Sequence, residues 1–460
     1  MSETSVKYIH IPDENQEKAI RVIKWLIANR RFPWLEKIVS SIHPGVLTNL
    51  WDGFNESEQS LIINSLDIET AAEVISELNP KERGEIFKKK DTSWIVDRLE
   101  ELESDDVVDI LKGLPEKEAS FILRKFDKDY SKKVKSLIHY EEETAGALMS
   151  SDFIAVNASA TVDKITRQFQ KQAETDDLQD LHFIYVTNNK NQLAGYIPIR
   201  KLITEKTQKK ASEIMSEPSV LIDPYMDQEE VAKIFKDYDL ISIPVVNKDN
   251  VILGRITIDD VVDVLEEEAS EDVFKMFGLN KKEKSSNGVM LSLRHRLPWM
   301  LINLCTTAIS AFVISLFAVT LKKFVILAMF MPMVAALGGA TGNQMVAMIV
   351  RGLAMGELRW HNVRWILLRE ITAVALGSLI IGSLFMMATV ALKVTLMLGV
   401  IVCISILLNM VFATIVGVSI PLALRAMKLD PALGSSIIVA ASTDVMGFFI
   451  FLGLAQAFLK

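Results

Sequence analysis

The sequence predicts a multidomain α + α/β + membrane α protein: a helical-repeat domain, a duplicated α/β region and a membrane domain of five helices. Three observations predict it. Residues 54–137 repeat with a period of 12. Residues 146–169 resemble 212–235, and 182–202 resemble 242–261. Five runs almost free of charge follow: Trp299–Leu321, Phe324–Val350, Ile371–Leu392, Val394–Leu424 and Pro431–Leu459. Each exceeds the roughly 20 residues that a spanning helix needs.

The copies of the first repeat are FNESEQSLIINS, LDIETAAEVISE, LNPKERGEIFKK, KDTSWIVDRLEE, LESDDVVDILKG, LPEKEASFILRK and FDKDYSKKVKSL. Position 1 is Leu or Phe in six of the seven, and position 2 is mostly a helix-capping type. Positions 9 and 10 are mostly large and apolar. The pattern predicts one short helix per copy, with a staple residue just before each cap. Such helices bury their apolar edges only by stacking, so they form a small superhelical scaffold. Asp105, Asp106 and Asp109 are expected on its exposed surface, with Asp105 and Asp109 one turn apart.

The duplicated region reads, in each copy, as strand, helix, two strands around an Asn-rich turn, and helix. The second copy ends in an acidic run: Asp259, Asp260, Asp263, Glu266, Glu267, Glu268, Glu271 and Asp272. After Arg255 the next basic residue is Lys275. Like charges at helical spacing repel, and a divalent cation would relieve the repulsion. A Gly-, Ser- and Lys-containing hinge follows Phe277. The mostly apolar residues 289–293, then Arg294 and Arg296, suit a helix near the membrane surface.

Asp444 is the only ionisable residue between Pro431 and Leu459. A carboxylate at that depth costs about 2.5–3.5 kcal/mol on insertion scales and marks an ion or proton path. No Lys or Arg lies inside any run to neutralise it. The reading is a cation pathway containing Asp444. The flanks orient the spans: Arg294, Arg296, Arg351, Arg359, Arg364, Arg369, Arg425 and Lys428 share one side, against Lys322, Lys323, Lys393 and Lys460. The positive-inside rule puts the first set, and with it the N-terminal region, in the cytoplasm and the C-terminus outside.

Residues 287–460 hold 12 basic and 4 acidic residues, and residues 1–286 hold 38 and 54. So acidic a soluble region argues against nucleic acid and favours cations. The polar first 20 residues carry no secretory signal. Cys305 and Cys403 both fall in spans, which excludes a disulfide framework and a cysteine zinc motif. The six His residues form no ligand pair at helical spacing. No nucleophile–base pattern, P-loop or zinc motif supports an enzyme.

The duplicated pattern resembles tandem CBS domains. With the order of parts it makes the whole chain resemble the MgtE family of bacterial magnesium transporters. The motifs are P-M-V-A-A-L-G-G-A-T-G-N-Q (332–344), running on to Arg351-Gly-Leu-Ala, then Arg369-Glu370, Asp430-Pro-Ala-Leu and Thr443-Asp444-Val-Met-Gly. The resemblance implies a helical-repeat N domain at 1–140, tandem CBS domains at 141–274, a connecting, plug-like helix at 275–297 and five spans at 298–460. It implies a multi-pass homodimer in the bacterial inner membrane, in contact with lipid, that admits Mg²⁺ to the cytoplasm. Its pore would be lined by the second and fifth spans. Asp444 of each protomer would set the ion site, with the carbonyl of Ala440. It also implies cytoplasmic Mg²⁺ sites that close the channel, at Glu229, Asp239, Asp260, Asp263, Glu268, Glu271 and Asp272. Asp105 and Asp109 would be their N-domain partners, and Asp430 a further ligand at the membrane edge.

Mg²⁺ dehydrates reluctantly, so one carboxylate per protomer at a two-fold axis suits a hydrated ion. The Gly-rich 338–342 segment permits close helix approach. Three positions depart from the family pattern: Ala340 for Asn, Ile437 for Pro, and Lys236 where a backbone carbonyl faces a sensor ion. Thr257 and Asp260, after Gly254, resemble the CBS pattern that binds the ribose of ATP or another adenine nucleotide. Their plainer role is a helix cap. In the first copy Pro198 replaces the Thr. The alternatives are transport of Co²⁺, Ni²⁺ or Mn²⁺, or Mg²⁺ export coupled to Na⁺ or H⁺. An anion channel conflicts with an unpaired Asp in the pore.

Overall fold

The computed structural model describes residues 8, 11–173, 181–279, 289–358, 361–391 and 395–459. The chain divides into two compact units, 1–265 and 266–460.

The first unit opens with α1 (Asp13–Ala28), α2 (Phe32–Val39), α3 (Pro44–Asn49) and a 3₁₀ turn at Trp51–Gly53. Then come α4 (Glu56–Asn64), α5 (Ile68–Glu77), α6 (Pro80–Phe87), α7 (Thr92–Leu99), α8 (Ser104–Lys112), α9 (Glu116–Leu123) and α10 (Lys128–Leu137). These are the seven helices expected of the seven copies. Their N-caps are Asn55, Asp67, Asn79, Asp91, Glu103, Pro115 and Asp127, all at repeat position 2. Asn55 and Asn79 form full capping boxes with Glu58 and Glu82. Position 1 is buried as Phe54, Leu66, Leu78, Leu102 and Phe126. Positions 9 and 10 supply Ile62, Ile63, Val74, Ile75, Ile110 and Leu111 to the same core. Each helix is too short to be stable alone, so this shared core holds the superhelix.

The α/β part contains α11 (Ala145–Leu148), β1 (Ala155–Asn157), α12 (Val162–Ala173), β2 (Phe183–Thr187), β3 (Leu193–Pro198), α13 (Ile199–Thr204) and α14 (Ala211–Ile214). The second copy has α15 (Gln228–Tyr238), β4 (Ser242–Val246), β5 (Ile252–Thr257) and α16 (Ile258–Met276). In the first copy β1 runs parallel to β2, and β2 antiparallel to β3. The second copy departs from expectation. Its first strand is reduced to one parallel bridge, Ile222 to Val245. Pro218 and Pro224 bracket that segment and remove ladder donors. Both hairpins turn on an Asn in the left-handed region, Asn191 and Asn250, each at φ 60°. The hairpins also meet: the Leu193 amide donates to the Asn250 carbonyl at 2.8 Å.

The second unit holds α17 (Val289–Leu316), α18 (Ala318–Lys323), α19 (Leu327–Ala354), α20 (Val363–Ala391), α21 (Leu396–Ala426) and α22 (Ser435–Phe458). Five of these, α17 and α19–α22, are long and apolar enough to cross a membrane. The three helices α19, α21 and α22 pack against one another, with α20 on α21 and α17 on α22. Of the 275–297 segment, residues 275–276 close α16 and 289–297 open α17, while 280–288 lie outside the described residues. Residues 289–293 therefore continue into the first span through Pro298 instead of forming a separate helix. Arg359, Lys393 and Lys460 lie outside the described residues.

Candidate ion pathway and sensor carboxylates

Asp444 is half-buried on α22, the helix that packs on both α19 and α21. Small residues set that packing. A Cβ at Gly338 would collide with the Asn409 side chain, and one at Gly342 with Val439. Gly417 on α21 lies so close to Gly342 that a Cβ there would sit 2.7 Å from the Gly342 carbonyl oxygen. Ala440, one turn before Asp444, already accepts the Thr443 hydroxyl on its carbonyl at 2.8 Å. Ala340 is exposed on α19, and Ile437 packs over Gly278 beside Trp299.

The sensor residues in the first unit fall into separate places. Glu229 lies in the first turn of α15 and Asp239 is its left-handed C-cap, at φ 51°. A helix of 11 residues puts these ends about 15 Å apart, too far to share an ion. Lys236 is exposed near the Asp239 end.

Asp105, expected on the surface, is only 8% exposed. Its Oδ1 is buried with no hydrogen-bond partner. Burial, then the nearby charges of Asp260, Asp106 and Glu103, push its carboxyl well above the ordinary range. The correction follows from what α8 meets: its Asp105 face turns to the second α/β copy, while Asp106 in the same turn is exposed as expected. Burial and Asp259 likewise push Asp260 up to about 7, against opposing hydrogen bonds from Thr257. Asp109 is exposed and within electrostatic reach of Arg83 and Asp106, while Asp263 faces Glu77.

Thr257 and Asp260 engage each other at the start of α16. The Thr257 hydroxyl donates to Asp260 Oδ2 at 2.8 Å, and its amide to the same oxygen at 3.3 Å. This is the capping geometry. Neighbouring contacts, unforeseen from the sequence, fasten the repeat helices to the α/β copies. Buried Arg255 donates to Glu103 at 2.7 Å, Lys133 to Asp152 at 2.6 Å, and the Ser104 amide to Asp152 at 2.9 Å. Only the isolation of Arg255 before the acidic run signalled any of them.

In the second unit Glu268 is half-buried on α16, and Glu271 and Asp272 lie one turn beyond it. Glu271 meets Asp430, but through Lys275: the ammonium lies 2.5 Å from Glu271 and 2.7 Å from Asp430. Among the described residues no three His, Cys, Asp or Glu side chains converge closely enough to hold a metal.

Residues 331–454 match the family model of the MgtE divalent cation transporter, residues 42–143 the MgtE intracellular N domain, and residues 145–206 and 211–267 the CBS domain. The magnesium transporter MgtE of Thermus thermophilus is 32% identical over 93% of this chain and 95% of its own. This chain belongs to the MgtE family. The magnesium transporter MgtE of Bacillus subtilis is 27% identical, covering 96% of this chain and 98% of its own. A crystal structure of the cytosolic domain of the Mg²⁺ channel MgtE in complex with ATP superposes at a TM-score of 0.50 and 30% identity, over 53% of this chain and 99% of that one. The CBS copies and five apolar helices of this MgtE chain thus follow the family's plan.

Proposed function

We propose that this MgtE chain is a Mg²⁺ channel or transporter, not an enzyme, that admits Mg²⁺ to the cytoplasm and closes when cytoplasmic Mg²⁺ is high. The observation that carries the reading is Asp444, the sole carboxylate of α22, the helix that packs on both α19 and α21. Two protomers would bring two such carboxylates to one axis, enough to hold a hydrated ion through its waters but too few to trap it. The N-terminal unit is then cytoplasmic and the C-terminus outside, in a multi-pass inner-membrane homodimer. The family name and that of the Thermus thermophilus relative support Mg²⁺ as the cargo.

Gating rests on the buried carboxylates of α8 and α16. Asp105 and Asp260 repel each other across a contact within one unit. A divalent ion there would turn the repulsion into a bridge, with Asp109 and Asp263 near it, while Glu229, Asp239 and, in the second unit, Glu268 and Asp272 would serve separate ions. The ATP-bound relative supports a nucleotide at Thr257 and Asp260. The nucleotide would have to take over the hydrogen bonds that these two residues now exchange.

Uptake into proteoliposomes tests the reading. Mg²⁺ should enter down its own gradient without a Na⁺ or H⁺ gradient, and Co²⁺, Ni²⁺ and Mn²⁺ should compete weakly. Uptake that required a second ion's gradient, or that preferred another divalent, would replace this reading by one of those alternatives.

A further inference from the structure

The acidic end of α16 carries one cation of its own. Lys275 Nζ lies 2.5 Å from Glu271 Oε1 and 2.7 Å from Asp430 Oδ2. The three side chains are 29%, 11% and 31% exposed, so this is not a solvent-screened surface pair. Asp430 is itself held in place, because its Oδ1 accepts the Ala432 amide at 2.8 Å. The backbone joins in: the Lys275 carbonyl accepts the Gly434 amide at 2.8 Å, at the N-cap of α22. Next to it Met276 is buried with Val346, Val350, Ala432 and Val439. Gly278 at φ 70° and Gly434 at φ 58° both lie against the Trp299 ring, where any side chain would collide. The Lys275–Asp430 pair, the Gly434–Lys275 backbone bond, the burial of Met276 and the Gly278 and Gly434 contacts with Trp299 together seat the end of α16 on the loop that starts α22.

We propose that Lys275 is the resident cation of the Glu271–Asp430 pair, a positioning residue that holds the end of α16 on the entry to α22 without a divalent ion. A bound Mg²⁺ needs its oxygens at about 2.0–2.1 Å in octahedral array. The ammonium already occupies the space between the two carboxylates, so a divalent ion must first expel it. It follows that Glu271 and Asp430 add little to Mg²⁺ sensing in this chain, and that the sensing load falls on the carboxylates around Asp105 and Asp260. The inference takes α22 as the permeation helix, but its test does not depend on transport.

Hydrogen exchange of residues 271–278 in the full-length protein, in lipid nanodiscs, provides the test. In the wild type this segment should be equally protected in chelator and in Mg²⁺, within about two-fold. Lys275→Arg should match it. Lys275→Met should exchange roughly ten-fold faster in chelator and recover in Mg²⁺, because the vacated carboxylate pair then takes the ion. Asp430→Asn should exchange faster in both. Exchange in α21 reports global folding in every variant. The proposal is overturned if the wild-type segment needs Mg²⁺ for protection, if Lys275→Arg behaves as Lys275→Met, or if Mg²⁺ fails to restore Lys275→Met. Loss of Mg²⁺ flux with these exchange results intact would instead count against the transport reading alone.

Discussion

Asn409 Nδ2 on α21 donates to the Val334 carbonyl on α19 at 2.9 Å, inside the packed membrane helices. The residue is fully buried, and its Oδ1 has no partner. Gly338 and Gly447 make room for it from α19 and α22. A buried amide with half its capacity unmet gains about 1 kcal/mol from its bond and costs about 1–3 kcal/mol for the orphaned oxygen. The second term is the larger, so Asn409 is not there for stability.

Asn409→Leu should therefore leave the thermal midpoint in detergent unchanged or raise it, by up to about 2 kcal/mol in stability. Gly447→Ala should lower it by roughly 1–3 kcal/mol, since the new Cβ would lie 2.6 Å from Asn409 Nδ2. Gly447→Ala in an Asn409→Ala background should recover most of that loss. A large fall in midpoint for Asn409→Leu would show that the amide stabilises the bundle.

The cytoplasmic carboxylates predict an inverted pH dependence. The folded-state values of Asp105 and Asp260 are raised, Asp260 to about 7, so the folded chain binds protons that the unfolded chain does not. Their contribution to stability is present at low pH and is lost as pH rises through about 7. In chelator, exchange protection of α8 should fall as pH rises from about 5 to about 7 and change less above that, once Asp260 is ionised in both states. Saturating Mg²⁺ should flatten the dependence by taking the proton's place. Protection that rises with pH in chelator would contradict the assignment.

Neutralising the same pair should release the gate. Asp260→Asn keeps an oxygen for the Thr257 cap, where Asp260→Ala would remove it. Asp105→Asn with Asp260→Asn should shift the internal Mg²⁺ that half-inhibits conduction upward by about ten-fold or more, bounded by the affinity difference between closed and open states. Patch recordings across internal Mg²⁺ concentrations measure it. Superimposable inhibition curves for variant and wild type would remove these residues from the sensor.

The repeat helices were legible because position 1, the cap and positions 9 and 10 recur at 12-residue spacing, and each has a local physical meaning. The five membrane helices were legible from length and charge alone. What the sequence hid depends on distant partners. Asp105 reads as a surface residue until α8 meets the second α/β copy. The Arg255–Glu103 contact joins residues 152 positions apart. Lys275 stood out as the first base after Arg255, but its partner Asp430 lies in another part of the chain. At Ile222 the apolar stretch reads as a strand, but the flanking prolines deny it a ladder and leave one bridge.

Mg²⁺ flux through Asp444→Ala, beside wild type in the same liposomes, tests the central claim most directly. The variant removes the only carboxylate within α22 and leaves the helix packing around Gly338, Gly342 and Asn409 untouched. Uptake should fall by about 100-fold or more, towards that of empty vesicles, while the protein still inserts and elutes as the wild type does. Undiminished Mg²⁺ uptake by the inserted variant would contradict the account, because α22 would then not carry the ion.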